Sequence, residues 1–370
     1  MRLWEGRREK RDFFAAMGFL LPNLIGFLAF TAGPVLLSLY MSFTNWSLKK
    51  SIPLKWIGFR NYTDLFSDGD FWFYFYNTGY FMLGIPLAVG GSLFLANILV
   101  DSMRIKVDKT RSRLALITAV VGFLNCAFFI VAGWNDAALF VGIVFLAAFF
   151  GVLFGTTTYR TMFYIPSFAS GVATMILWMQ IFNPEQGLLN NLLYYIVPVG
   201  TQLPEWLIST DNLLGFLPLP AHFNSSGFGF GAREAILIMG FWMGIGGNNM
   251  ILYIASISNI PDSLYEAADI DGAGGFAKFW HITVPSVAAT TFFISIMSII
   301  GGLQGGFQMA KIMTNGGPTG TTTTLAYYIF TEGFDELRLG FASSVSWVLF
   351  LIVFGATMIQ WKYGNKQSEA

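Results

Sequence analysis

The sequence predicts an all-α fold: a polytopic membrane protein with about eight transmembrane helices and both termini cytoplasmic. Three observations carry this expectation. Hydrophobic residues make up 55% of the 370-residue chain, charged residues make up only 11%, and the apolar residues fall in long uninterrupted blocks. A soluble domain carries about a quarter charged residues, and this chain has too few to cover a soluble surface. The mean hydropathy of +0.59 agrees.

A bilayer core about 30 Å thick needs about 20 apolar residues per helix. Eight blocks meet that length, at 16–43, 72–100, 114–133, 137–156, 161–183, 234–257, 287–306 and 341–361. A transmembrane β-barrel would alternate in segments of about ten residues instead. The first block opens at Phe13 and runs too long for a signal-peptide core, with no small-residue cleavage site after it, so it reads as retained. The blocks at 114–133 and 137–156 are joined only through residues 133–136 and read as a tight helical hairpin.

Loop charge sets the orientation. With the N-terminus inside, the inner segments hold 14 Lys/Arg and the outer ones 7. Lys49, Lys50, Lys55 and Arg60 run against this bias. The organisation expected is a basic cytoplasmic arm (1–12), two core spans (13–100) and a cytoplasmic loop with the inserted hairpin (101–159). The remaining core spans follow (160–361), with a cytoplasmic loop at 258–286, and then a cytoplasmic tail (362–370).

Composition also excludes function classes. Net charge is zero, so no nucleic-acid partner is implied. The lone Cys126 allows no internal disulfide, and two histidines, His222 and His281, cannot build a His/Cys metal site. There is no GxxxxGK[ST] phosphate loop. No nucleophile–base pair can be assembled, so no catalytic residue and no metal ligand is expected.

The informative loop reads EAADIDGAGGFAKFWHITVP at 266–285. Ile260-Pro261-Asp262 looks like a helix start, and Leu264, Ala267 and Ala268 share one face at three- and four-residue spacing. Gly272 is placed to end the helix. The expected element is a short helix over about 261–271 whose alanine-rich face lets another surface approach closely. Asp262, Glu266, Asp269 and Asp271 face only Lys278, an excess of acid that no anionic leaflet would hold. Asp269 and Asp271 lie at the helix C-terminus, where the dipole disfavours anions, and are expected to meet basic groups on a partner.

This stretch resembles the EAA motif of inner-membrane permease subunits of ABC importers. Glu266, Ala267, Ala268, Asp271, Gly272, Ala273, Ile282 and Pro285 stand where that pattern, E-A-A-x-x-D-G-A then I-x-x-P, asks for them. Residues 307–330, FQMAKIMTNGGPTGTTTTLAYYIF, and 337–347, LRLGFASSVSW, are similar to the carbohydrate-transporting branch. The likeness spans 13–100, 160–195 and 234–361 and omits the hairpin. It implies an ATP-driven importer of a sugar, oligosaccharide or polyol derivative in a bacterial or archaeal cytoplasmic membrane. It further implies a homologous second permease, two ATPase subunits and an extracytoplasmic solute-binding protein. No cofactor is expected on this chain, with ATP and Mg on the ATPase. Leu264, Glu266, Ala267, Ala268, Asp271, Gly272 and Pro285 become the expected ATPase-coupling residues, Glu266 as the polar anchor and Gly272 as the point of close approach.

Amides inside apolar helices are costly unless paired and mark possible pathway positions. Asn77, Gln180, Asn248, Asn249, Gln304 and Gln308 are such residues, each able instead to bond a neighbouring helix. Asn248, Gln304 and Gln308 are the expected substrate-pathway positions. The pairs Gly240/Gly244, Gly301/Gly305 and Gly302/Gly306 have the spacing of close helix crossings. The Asn-x-Ser/Thr triplets at Asn45, Asn61 and Asn224 are expected to carry no function. An ion-gradient-driven transporter is the competing reading, but it would need ionisable residues within the spans, and the charges lie at their edges. A membrane scaffold is compatible with the same sequence.

Overall fold

A computed structural model describes residues 7–49, 51–104, 110–154, 156–168, 171–198, 200–216 and 227–368. Part of the basic arm, part of the loop before the hairpin, the last two residues of the tail, His222 and Asn224 lie outside the described residues. Among the described residues there is no β-strand, only two isolated bridges, Thr44 with Trp56 and Asn212 with Phe228. The chain begins with α1 (Arg7–Phe27), which passes through a π-turn into α2 (Gly33–Ser42). The π-turn precedes Pro34, whose ring has no N–H to continue the ordinary ladder. Then come α3 (Arg60–Ser67), α4 (Gly69–Met82), α5 (Gly84–Arg104), α6 (Thr110–Val131) and α7 (Asn135–Phe154). Next are α8 (Thr156–Phe168), α9 (Gly171–Ile181), α10 (Leu188–Ile196), α11 (Ala232–Ile245) and α12 (Gly247–Ser258). They are followed by α13 (Asp262–Ile270), α14 (Gly275–Lys278), α15 (Val284–Ser286) and α16 (Ala288–Gln304). The chain ends with α17 (Phe307–Met309), α18 (Leu325–Phe330) and α19 (Leu339–Ser368).

Two compact units result. The first, Met1–Phe71 with Tyr328–Leu351, is tied by buried polar groups. Asn61 Nδ2 donates to Ser42 O at 2.8 Å and Thr44 O at 2.9 Å, and Tyr62 Oη donates to Ser42 Oγ at 2.8 Å. Asn61 is thus a buried tie, which removes its triplet from consideration as a modification site. Gly340 N–H donates to Trp46 O at 2.8 Å, and a Cβ at Gly340 would stand 2.2 Å from Thr44 O. Glu332 is buried and paired with Arg338, and Tyr328 Oη donates to Asp68 at 2.7 Å.

In the second unit, Trp72–Tyr327 with Ile352–Ala370, α5, α12 and α16 share a core of Leu93, Ala96, Met250, Tyr253 and Ile294. Gly244 brings α11 to within 2.7 Å (Cβ to Cβ, were a side chain added) of Ala88 on α5, and Gly302 lies as closely against Ile85. These two glycines act as expected for close crossings, whereas Gly240 and Gly301 face open space. Along the hairpin, Gly122 fits against Phe145 and Gly142 against Cys126. The hairpin packs on α8 and α10 through α7, with Trp134 and Tyr195 rings 4.6 Å apart, while α6 leaves Phe123, Phe128 and Val131 exposed.

Helix continuity differs from the sequence expectation. Among the described residues four helical runs are long and apolar enough to cross a membrane: Lys10–Ser42, Gly69–Val100, Ala232–Ser258 and Leu339–Lys362. A fifth, Gly275–Ser286 with Ala288–Gln304, bends by 69°, and Leu116–Val131, Ala137–Val152 and Gly171–Ile181 are shorter apolar helices. The blocks at 72–100 and 234–257 are interrupted, at Leu83 and at Gly246. A hydropathy window of some twenty residues averages over one or two glycines and cannot register a break.

Candidate functional site

The loop between α12 and α16 is built around α13. Pro261 caps it with an extended backbone, and Asp262 opens its first turn. Gly272, at φ +74°, ends it. Ala273 N–H donates to Ala268 O at 2.9 Å and Gly272 N–H to Asp269 O at 3.1 Å, the paired bonds of a Schellman clasp. Beneath α13, Tyr265 packs against the core, and its hydroxyl shares a hydrogen bond of 2.9 Å with Thr283 Oγ1. Thr283 ends a π-turn, Phe279–Thr283, directly before α15, in which Pro285 is the second residue. Val284 N–H reaches back to Phe279 O there. The bend into α16 follows at the fully buried Val287.

On the other face, Leu264, Glu266 and Ala267 are exposed, as are Asp271, Gly272 and Pro285, while Ala268 is half-buried. Ile270 is 87% exposed and Phe276 78%. These two apolar residues were not singled out from the sequence, although Ile270 extends the Leu264/Ala267 face by three residues. Asp269 corrects an expectation. Its carboxylate is paired with Lys278 of the same loop, so it is not left for a partner's base. The acid count alone could not see this, because the ion pair closes only when α14 folds back beside α13.

The expected pathway positions sit at two interruptions in the second unit. Asn248 is the second residue of α12, directly after Gly246 and Gly247, and accepts a bond from Tyr164 Oη on α8 at 3.2 Å. Gly246 is there because α8 leaves no room: a Cβ would stand 2.1 Å from Phe163 O. Gln304 ends α16, before Gly305 and Gly306. Gln308 follows in α17, its Oε1 lying 2.9 Å from where a Cβ on Gly171 of α9 would be. The two interruptions thus pack against two helices consecutive in the chain, and all three amides are exposed. Gln180 is exposed too. Asn77 is fully buried and serves as a tie, donating to Gly320 O and Thr323 O at 2.9 and 3.0 Å.

A family model described as "Binding-protein-dependent transport system inner membrane component" matches residues 143–361, more than half of the chain. The chain belongs to that family. This permease is therefore a multi-pass transport subunit of a binding-protein-dependent system, and not an enzyme. It is 29% identical over 363 residues to the probable ABC transporter permease protein YesP of Bacillus subtilis (strain 168), covering 97% of this chain and 93% of the relative. It is 30% identical over 225 residues to the sn-glycerol-3-phosphate transport system permease protein UgpA of Yersinia enterocolitica, covering 60% of this chain and 68% of the relative. A solved bacterial alginate ABC transporter, in complex with an alginate pentasaccharide-bound periplasmic protein, contains a chain of the same fold. The TM-score is 0.63 at 21% identity, covering 97% of this chain and 96% of that one.

Proposed function

We propose that this chain is one of two permease subunits of an ATP-driven ABC importer for a carbohydrate or polyol derivative. The observation that carries the reading is α13: a short helix clasped shut at Gly272, pinned beneath by Tyr265 and offering Leu264, Ala267 and Ile270 outward. Such a helix transmits a push as a unit, because its inner side is bonded to the π-turn leading into α16. An ATPase, one of two subunits that bind ATP and Mg, closes on nucleotide and presses this helix, with Glu266 as polar anchor and Ala268, Asp271, Gly272 and Pro285 shaping the contact. The chain itself binds no cofactor. The partners are a homologous second permease, the two ATPases, an extracytoplasmic solute-binding protein and the lipid bilayer, with no nucleic acid.

The carbohydrate class is supported by the relatives, whose names specify sn-glycerol-3-phosphate and alginate transport. Asn248, Gln304 and Gln308, on interrupted helices, are the groups assigned to the substrate pathway, since free backbone groups and amides at helix breaks suit a hydroxyl-rich solute. In this reading the chain has eight spans and both termini are cytoplasmic, so that α13 lies on the ATPase side of a bacterial or archaeal cytoplasmic membrane.

The test is Gly272→Asp in the reconstituted complex. A side chain at φ +74° costs about 1–2 kcal/mol, and an added acid sits at the C-terminal end of the helix dipole. The variant inserts in the membrane, and ATP hydrolysis is uncoupled from uptake. Normal transport by this variant, or purification of the tagged wild-type chain from its native membrane without any ATPase, would overturn the reading.

A further inference from the structure

A fully buried guanidinium is the least expected feature of the second unit. Arg233, the second residue of α11, is 2% exposed, and its neighbour Glu234 is 1% exposed. The sequence gives them no special mark, since Arg233 counts there as one outer basic residue. Glu234 has an ordinary explanation: it accepts from Gly231 N–H at 3.1 Å and Leu213 N–H at 2.8 Å, and also from Tyr80 Oη, and so caps α11. Arg233 has no such explanation. Its Nε and Nη2 donate to the single Oδ1 of Asn77, at 3.2 and 2.8 Å, and Nε also donates to Thr321 O at 3.1 Å. The rings of Phe73, Tyr76 and Tyr80 stand 5.4–5.5 Å from its Cζ. Residues 73, 76, 77 and 80 share one face of α4 at three- and four-residue spacing, so that whole face is shaped around one cation.

The same amide reaches in the other direction. Asn77 Nδ2 holds Gly320 O and Thr323 O, and Leu325 N–H is taken by Thr78 Oγ1 at 3.0 Å. The loop they hold, residues 315–324, begins at the end of the helical turn containing Gln308 and closes back on it. Thr324 is the residue against which Gly306 packs, at the interruption between Gln304 and Gln308. A continuous set of contacts therefore runs from α11 through Arg233 and Asn77 to the loop, and from the loop to the broken helix that carries two pathway amides. One guanidinium, carried by α11, thus bonds α4 and the loop at once, which links the positions of the three elements.

We propose that Arg233 is a positioning residue for transport: it clasps loop 315–324 to α4 and α11, so that this face of the pathway opens and closes as one body. This rests on the transport reading above, in whose topology the loop is extracytoplasmic. Arg233 touches no substrate. It acts by fixing where the Gly306 interruption stands.

The experiment uses the complete complex, with its ATPase, second permease and binding protein, in proteoliposomes, comparing wild type with Arg233→Lys, Asn77→Ala and the double variant. Lysine keeps the charge but gathers its donors on one nitrogen at the end of a flexible stem, and so lacks the planar fork that bonds Asn77 from two nitrogens while reaching Thr321 O. Arg233→Lys assembles with its partners at the wild-type level, while solute imported per ATP hydrolysed falls about tenfold, the effect of losing one charged hydrogen bond. Asn77→Ala does the same from the other end of the clasp, and the double variant is no worse than the worse single one. A wild-type import-to-hydrolysis ratio in both single variants overturns the proposal. So does a parallel fall of import and hydrolysis with less complex, the mark of a purely structural role, and so do additive effects in the double variant. Failure of the wild-type complex to couple import to hydrolysis sinks the transport reading instead.

Discussion

At the Gly306 interruption the backbone torsion and the packed atoms of Thr324 both oppose a side chain. Gly306→Ala meets two obstacles. The backbone stands at φ +88°, in the left-handed region, where a side chain costs about 1–2 kcal/mol. The new Cβ would also lie 2.4 Å from Thr324 Cγ2, 2.9 Å from its Oγ1 and 3.1 Å from its Cβ. Thr324 is buried and β-branched, so it cannot swing aside, and overpacking of this kind costs about 1–3 kcal/mol. The two together come to about 2–5 kcal/mol. The assay is loss of monodisperse protein at fixed temperature in mild detergent, and the variant is expected to inactivate at least about tenfold faster than wild type. Two comparisons separate the contributions. Thr324→Ala removes Cγ2 and Oγ1, so Gly306→Ala/Thr324→Ala recovers the overlap part but not the torsional part. Gly272→Ala, at φ +74° with nothing within 4 Å of the added Cβ, carries the torsional part alone. Wild-type heat resistance in Gly306→Ala, or no recovery on removing the Thr324 atoms, would refute the packing of loop 315–324 on this interruption.

Two further predictions concern the coupling loop and the first unit. Tyr265→Phe keeps the ring in the core but loses the hydroxyl bond to Thr283. A hydrogen bond of ~0.5–1.5 kcal/mol corresponds to about a two- to tenfold fall in solute imported per ATP, with assembly intact, and an unchanged ratio would show that α13 does not act through the π-turn. Glu332 is pushed above the usual carboxylate range by burial, against the opposing pull of Arg338. A folded-state carboxyl raised above its unfolded value binds more protons when folded, so stability declines as pH rises from the unfolded value through the folded one. Arg338→Gln removes the opposing charge and carries that decline to higher pH. Heat inactivation of this variant should therefore accelerate relative to wild type as pH rises above the usual carboxylate range, and parallel pH profiles would contradict the pairing.

What the sequence disclosed and what it concealed follow the range of the forces involved. Membrane spans are set by transfer of some twenty contiguous residues, so the α-helical class is visible in composition, and α13 is visible because its cap, face and terminating glycine are local. Asp269 shows where locality ends: nine residues separate it from Lys278, and only the fold-back of α14 joins them. Gly305 and Gly306 make the same point for the backbone. Spacing suggested helix crossing for both, yet Gly302 performs that role while Gly306 turns left-handed against Thr324, a contact no periodicity encodes. Arg233 lies furthest from sequence reach. Its acceptors come from α4 and loop 315–324, 156 and 88 residues away, and their positions depend on each other. A charge at the edge of an apolar block looks the same whether it faces water or fills an aromatic cage; what separates the two is that Asn77, which the sequence leaves open between a pathway amide and a tie between helices, has its acceptor oxygen already taken twice by that guanidinium. Asn77 and Arg233 therefore explain each other, and neither can be assigned a role from its own neighbourhood in the chain.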